Sequence, residues 1–103
     1  MEYTIIEVPD MNDSVSRVVL KGTAYYIRFT YNDTHQYWKF GLYDDQNAPI
    51  AIGIKIVPNF PLNLFSGAIG LPDGVFVAKS KKERIGREDF LNGNAEFIFC
   101  PVQ

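Results

Sequence analysis

Three alternating runs of bulky apolar residues follow one another in the middle of the chain: Tyr25, Ile27, Phe29 and Tyr31, then Trp38, Phe40 and Leu42, then Ile50, Ile52, Ile54 and Ile56. A period of two lines one face of a β-strand, so these side chains share one surface while Arg28, Thr30, Lys39 and Lys55 point away from it. The pattern predicts a β-meander with Phe29, Trp38, Phe40, Leu42, Ile52, Ile54 and Ile56 in its core.

Parity constrains the loops, because facing residues of an antiparallel pair project to the same side of the sheet. The link between the odd-numbered run and the first even-numbered one must hold an even number of residues. Residues 32–35 meet that condition, with Tyr31 opposite Gln36 and Phe29 opposite Trp38. The next link joins two even-numbered runs and must be odd; residues 44–48 are turn formers ahead of Pro49, whose φ is pre-set.

Upstream, Lys21-Gly22 reads as a two-residue hairpin turn with Leu20 facing Thr23, which adds Val18 and Leu20 to the core. Residues 3–8 form a first strand, and the turn-rich link Pro9-Asp10-Met11-Asn12-Asp13 carries the chain around an edge or across to a second sheet. Gly41 and Gly53 interrupt neighbouring strands and imply a bend, which favours a barrel or tight sandwich over a flat sheet. Residues 58–70, with Phe60, Leu62, Leu64 and Phe65, are too apolar for a solvated loop and are expected to pack, with one helical turn over 61–65. A turn at Pro72-Asp73-Gly74, a strand over 75–79 and a closing strand over 95–101, with Phe97 and Phe99 on one face, follow. The fold class is all-β: a single antiparallel small barrel or compressed sandwich of about seven strands.

At 103 residues the chain is one domain, 1–103. Its hydrophobic content of 47% and charged content of 21% fit an ordered chain rather than a disordered tail. A net charge of −2 gives no general attraction for phosphate backbones or anionic lipids, which weighs against nucleic acid as a partner. The lone Cys100 cannot form an intramolecular disulfide, consistent with folding in cytosol. The first residues lack the basic start and apolar stretch of a signal peptide, and no run approaches the ~20 apolar residues of a membrane span, so no membrane insertion is expected.

Candidate chemistry is sparse. His35 falls in a predicted turn without convergent metal ligands, and Asp44-Asp45 reads as turn chemistry. Asp10, Asn12 and Asp13 lack the glycine and distal glutamate of a calcium loop. Cys100 sits between Phe99 and Pro101, a setting for a half-buried structural thiol rather than a nucleophile. The glycines form no phosphate cradle. No enzyme activity, metal or cofactor is expected.

Two surface features remain. Tyr26, Tyr37 and Tyr43, with Val57, form a second apolar face on the predicted outside, covered by another sheet or by a partner protein, and aromatic residues are enriched at protein interfaces. The alternative is a small β-barrel binding single-stranded nucleic acid or a small ligand by stacking on those rings, against which the acidic balance counts. Lys79, Lys81, Lys82, Arg84 and Arg87 place five of the ten basic residues within nine positions, in what reads as a long mobile excursion that either orders on assembly or stays solvated.

The sequence Tyr26-Ile27-Arg28-Phe29-Thr30-Tyr31-Asn32, a short turn, then Tyr37-Trp38-x-Phe40 resembles the small baseplate plug proteins of contractile-tailed bacteriophages. The resemblance continues through Asp44 or Asp45 before a turn, the strand at 50–57, Leu62-x-Leu64, the Gly74 turn and Asp89 ahead of a final aromatic strand, spanning residues 3–102. Lys55-Ile56 replaces the family's proline-leucine step, and the loop over 80–94 has its own composition. The resemblance implies a non-enzymatic virion component at the tail axis among baseplate hub, tail tube and spike proteins, where it helps close the tail channel before ejection. It also implies assembly in the host bacterial cytoplasm, in phage or prophage, and a homo-oligomer, with a trimer suiting the threefold symmetry of a tail hub.

Overall fold

Each alternating run becomes a strand. The computed structural model describes residues 3–60, 62 and 74–101. The strands are β1 (Thr4–Ile6), β2 (Asp13–Leu20), β3 (Thr23–Asn32), β4 (Tyr37–Tyr43), β5 (Pro49–Lys55), β6 (Gly74–Ser80) and β7 (Ala95–Pro101). They make two antiparallel sheets, one of order β2-β3-β4-β5 and one of order β1-β7-β6, packed through their inner faces as an open sandwich rather than a closed barrel. The turn-rich link after Pro9 takes the chain from the smaller sheet to the larger one. The expected helical turn over 61–65 and the residues Pro72 and Asp73 lie outside the described residues, although Leu62 is buried and Phe60 is 66% exposed.

The β2–β3 hairpin closes on Leu20 opposite Thr23, with Lys21 and Gly22 both at positive φ (51° and 80°), the conformation that matches the right-handed twist of the strands. The β3–β4 hairpin keeps the expected parity but slips by two residues: Tyr31 faces Trp38 and Phe29 faces Phe40. Asn32 is the cause. It completes the ladder opposite Tyr37 while its side-chain oxygen accepts the His35 N–H at 3.0 Å and its carbonyl accepts the Gln36 N–H at 2.7 Å. The turn therefore occupies residues 33–36.

Ile52 corrects the core expected from the sequence. Tyr43 faces Pro49 across the five-residue loop, but the register then shifts twice, so that Leu42 faces Ala51 and Phe40 faces Ile54. Gly53 absorbs part of this irregularity at φ 70°, a conformation costly for a residue with a Cβ. Ala51 and Ile54 consequently point inward, and Ile52 is 58% exposed. The glycines bend one strand pair without curling the sheet into a barrel. Val57, expected on the outer face, packs partly buried against the core.

Phe97, 1% exposed on the central strand of the smaller sheet, is where the two sheets meet. Its ring lies 5.1 Å from Phe29 and 5.1 Å from Phe40, both edge-on, and 5.8 Å from the stacked Phe76. Such contacts add to the burial of large apolar area. At one end Trp38 closes the core, its ring 5.1 Å from Tyr31 and 5.8 Å from Phe90.

Most sheet edges are blunted. β1 is three residues long, β5 is irregular, and the free edge of β6 is covered where Asn59 N–H donates to the Ala78 carbonyl and Leu62 N–H to the Phe76 carbonyl. Asn59 also exchanges hydrogen bonds with the Ser80 backbone through its side-chain amide, at 2.6 and 3.1 Å.

The shifted register makes a direct prediction. Ile54→Ala should cost about 2–5 kcal/mol by opening a core cavity, whereas Ile52→Ala should stay within about 0.5 kcal/mol of wild type. Urea denaturation of both variants checks this, and equal losses would contradict the register.

Candidate functional site

The outer face of the four-stranded sheet carries the tyrosines singled out by the sequence. Tyr26 on β3 stands directly opposite Tyr43 on β4, and Tyr37 lies at the far end of β4 opposite Asn32. All three are half-buried. Between them Arg28 forms a two-pronged pair with Asp13, Nε to Oδ1 at 2.8 Å and Nη2 to Oδ2 at 2.6 Å. The hydrogen bonds from Arg28 hold the Asp13 carboxyl below its ordinary range, while Asp13 and the Tyr43 hydroxyl stabilise the charged guanidinium. Lys55 Nζ lies 4.9 Å from the centre of the Tyr37 ring.

Beside these rings lies an open trough of about 550 Å3, bordered by Arg28, Lys39, Tyr43 and Ile52. Its floor is low because Gly41 and Gly53 contribute no side chains there. A rigid sheet thus presents aromatic rings, an exposed isoleucine and cations around one shallow depression. This arrangement offers contact area and charge.

The basic stretch at 79–87 is not one arm. It divides among three places, and most of it is engaged within the chain. Arg84 donates from Nε to the Gln36 carbonyl at 3.2 Å and from Nη2 to the His35 carbonyl, tying the loop to the β3–β4 turn. Arg87 pairs with Asp10 at 3.0 Å, donates from Nε to Asn12, and lies over the Trp38 ring with its guanidinium carbon 5.5 Å from the ring centre. Trp38 in turn donates from Nε1 to the Gly86 carbonyl at 3.1 Å. Lys79 reaches over the Tyr3 ring at 5.9 Å on the other sheet. The expected mobile excursion is therefore corrected: residues 81–94 form a strap across the Trp38 end of the sandwich, ordered by contacts that distant parts of the sequence supply.

Asp89 organises this strap. It is 4% exposed and accepts hydrogen bonds from the Gly86 N–H at 2.5 Å, the Lys82 ammonium at 3.0 Å and the Asn94 amide at 3.4 Å. Burial pushes its carboxyl up, but these three donors together bring it below its ordinary value. Lys82 is thereby engaged, leaving Lys81 exposed near the strap's surface.

The remaining candidates stand apart from one another. His35 is exposed in its turn, and Asp44 accepts the Gln46 and Ala48 N–H groups at 2.9 and 2.8 Å, which is turn chemistry. Cys100 is half-buried opposite Val75. Among the described residues no group of three or more His, Cys, Asp or Glu side chains converges as metal ligands would. No helix among them is long and apolar enough to cross a membrane.

Compared with known families, residues 1–100 match the one described as cyanophage baseplate Pam3 plug gp18. The chain belongs to this family. The match runs through both sheets of the sandwich, the strap and the outward tyrosines alike. Membership in a phage baseplate plug family makes the chain a structural baseplate component with a virion tail location. No individually curated protein matches the chain.

Sequence reasoning passed over two features within this family fold. The carboxylate hub at Asp89 gives no local signal beyond an aspartate near the strap's end, since its donors come from positions three to seven residues away and its burial depends on the fold. The pairing of Lys39 with Lys55 across β4 and β5 depends on the bulged register.

Asp89 generates a pH prediction. A carboxyl whose folded pKa is depressed contributes stability above its unfolded value, about 3.9, and loses that contribution as pH falls through the folded value. Asp89→Asn should cost about 1–3 kcal/mol at neutral pH. It should also lose less stability than wild type between pH 5 and pH 3, roughly the window over which the unfolded carboxyl begins to take up its proton. Urea midpoints at several pH values read both effects, and an unchanged pH slope would remove Asp89 from the role given to it.

Proposed function

We propose that this chain is a non-enzymatic plug subunit that packs against baseplate hub, tail tube and spike proteins at the tail axis and helps close the channel before ejection. The observation that carries this reading is the family match across residues 1–100. The structure adds a physical means. With the edges at β1, β5 and β6 blunted, strand addition is left only the edge of β2, and the sheet face offers the broader contact surface. The outer face of the larger sheet, with Tyr26 and Tyr43 adjacent and half-buried, offers rigid aromatic anchors of the kind that dominate interface energetics.

A subunit of this type needs no active site, and the features that would serve catalysis elsewhere have structural duties here. Asp44 builds a turn, Asp89 fixes the strap, and Arg87 braces Trp38. A homo-oligomer around the axis, assembly in host cytoplasm, and a place in either a phage or a prophage tail belong to the same reading.

The test pairs stability with assembly. Tyr26→Ser with Tyr43→Ser should leave a folded monomer with near-wild-type far-ultraviolet circular dichroism, yet sharply reduce co-purification with hub and tube proteins. Undiminished co-purification would contradict the face, and reconstruction of assembled tails with the chain at the baseplate periphery would contradict the axial position.

A further inference from the structure

On the outer face of the larger sheet, the strand positions carry four cations, Arg17, Arg28, Lys39 and Lys55, against one carboxylate, Asp13, while the whole chain has a formal net charge of −2. Asp13 is taken by Arg28. Lys39 and Lys55 stand directly opposite each other on β4 and β5, and neither meets a carboxylate among the described residues. Like charges at facing positions of an antiparallel pair repel. Lys55 is partly accommodated over Tyr37, but Lys39 borders the trough with no countercharge among the described residues.

We infer that this trough receives an acidic, extended protein segment of a neighbouring baseplate subunit, with a carboxylate between Lys39 and Lys55 and a bulky apolar side chain on the glycine floor beside Ile52 and Tyr43. The inference rests on the baseplate reading above for the identity of the compartment, and on charge complementarity for the chemistry of the partner. A carboxylate relieves the lysine repulsion and gains two charged hydrogen bonds at a site already shaded by rings. The apolar residue covers Ile52, whose exposure the bulge enforces. A nucleic-acid strand fits less well. Its affinity rests on many phosphate contacts within an attractive field, and this face offers few cations on an acidic protein.

Assembled tails containing the chain supply the test. The particles are acetylated to measure lysine reactivity, and separately treated with a carbodiimide, which joins an amine to a carboxylate in direct contact; peptides are then read by mass spectrometry. Lys39 and Lys55 should be protected in the particle relative to the free chain, and at least one should be joined to an Asp or Glu of another baseplate protein. The charge-reversing pair Lys39→Glu and Lys55→Glu should lower incorporation roughly tenfold or more, and Lys39→Arg with Lys55→Arg should retain it. Full acetylation of both lysines in the particle would overturn the docking trough while leaving the baseplate role intact. Protection without any carboxylate link, or ultraviolet cross-linking of this face to nucleic acid, would overturn the acidic protein segment. Absence of the chain from purified tails would overturn the function and this inference together.

Discussion

The ring of Phe97 holds the two sheets to one another. It comes from the central strand of the smaller sheet and inserts between Phe29 and Phe40 of the larger one, with Phe76 stacked alongside. A three-stranded sheet with one three-residue edge strand has little stability by itself, and the larger sheet has a largely apolar inner face that water would otherwise cover. Bringing the faces together solves both problems at once. The alternation along β3 follows from this, because Tyr25, Ile27 and Phe29, in facing the core, send Tyr26 and Arg28 to the outer face.

The outside is then available for work that the inside cannot do. The inner positions are filled by Leu20, Ile27, Phe29, Trp38, Phe40 and Leu42, all almost wholly buried. The outer positions of the same strands carry tyrosines and cations around a shallow trough. The strap over residues 81–94 stiffens one end, with Asp89 holding its backbone and Arg84 and Arg87 fastening it to other loops. A rigid body with a chemically distinct face suits a component whose task is to fit between other proteins, since little conformational freedom remains to be lost on docking.

Much of this was legible in the amino-acid order because strand periodicity is local. The runs at Tyr25, Trp38 and Ile50 announced the meander, Lys21-Gly22 announced its first turn, and the residues around Tyr31 and Trp38 announced the family. The failures share a cause. Ile52 alternates with its neighbours in the sequence, but two register shifts insert extra residues into β5, turning Ala51 inward in its place before the expected parity resumes at Ile54, a rearrangement that Gly53 permits without dictating. The hairpin slip at Asn32 arose from competition between ladder and turn for the same residue. The basic stretch read as mobile because its partners, Asp10, Asn12, Gln36 and Trp38, lie far off in the sequence, and charge alternation does not reveal such distant contacts.

Native-state hydrogen exchange of the intact chain tests most directly whether the aromatic seam makes the sandwich one cooperative unit. The seam predicts that the slowest amides of β3, β4 and β7 open with a common free energy equal to that of global unfolding. Amides of β6 and β7 exchanging through a distinctly cheaper opening, while β3 and β4 stay protected, would mean that the sheets separate independently and that Phe97 does not lock them.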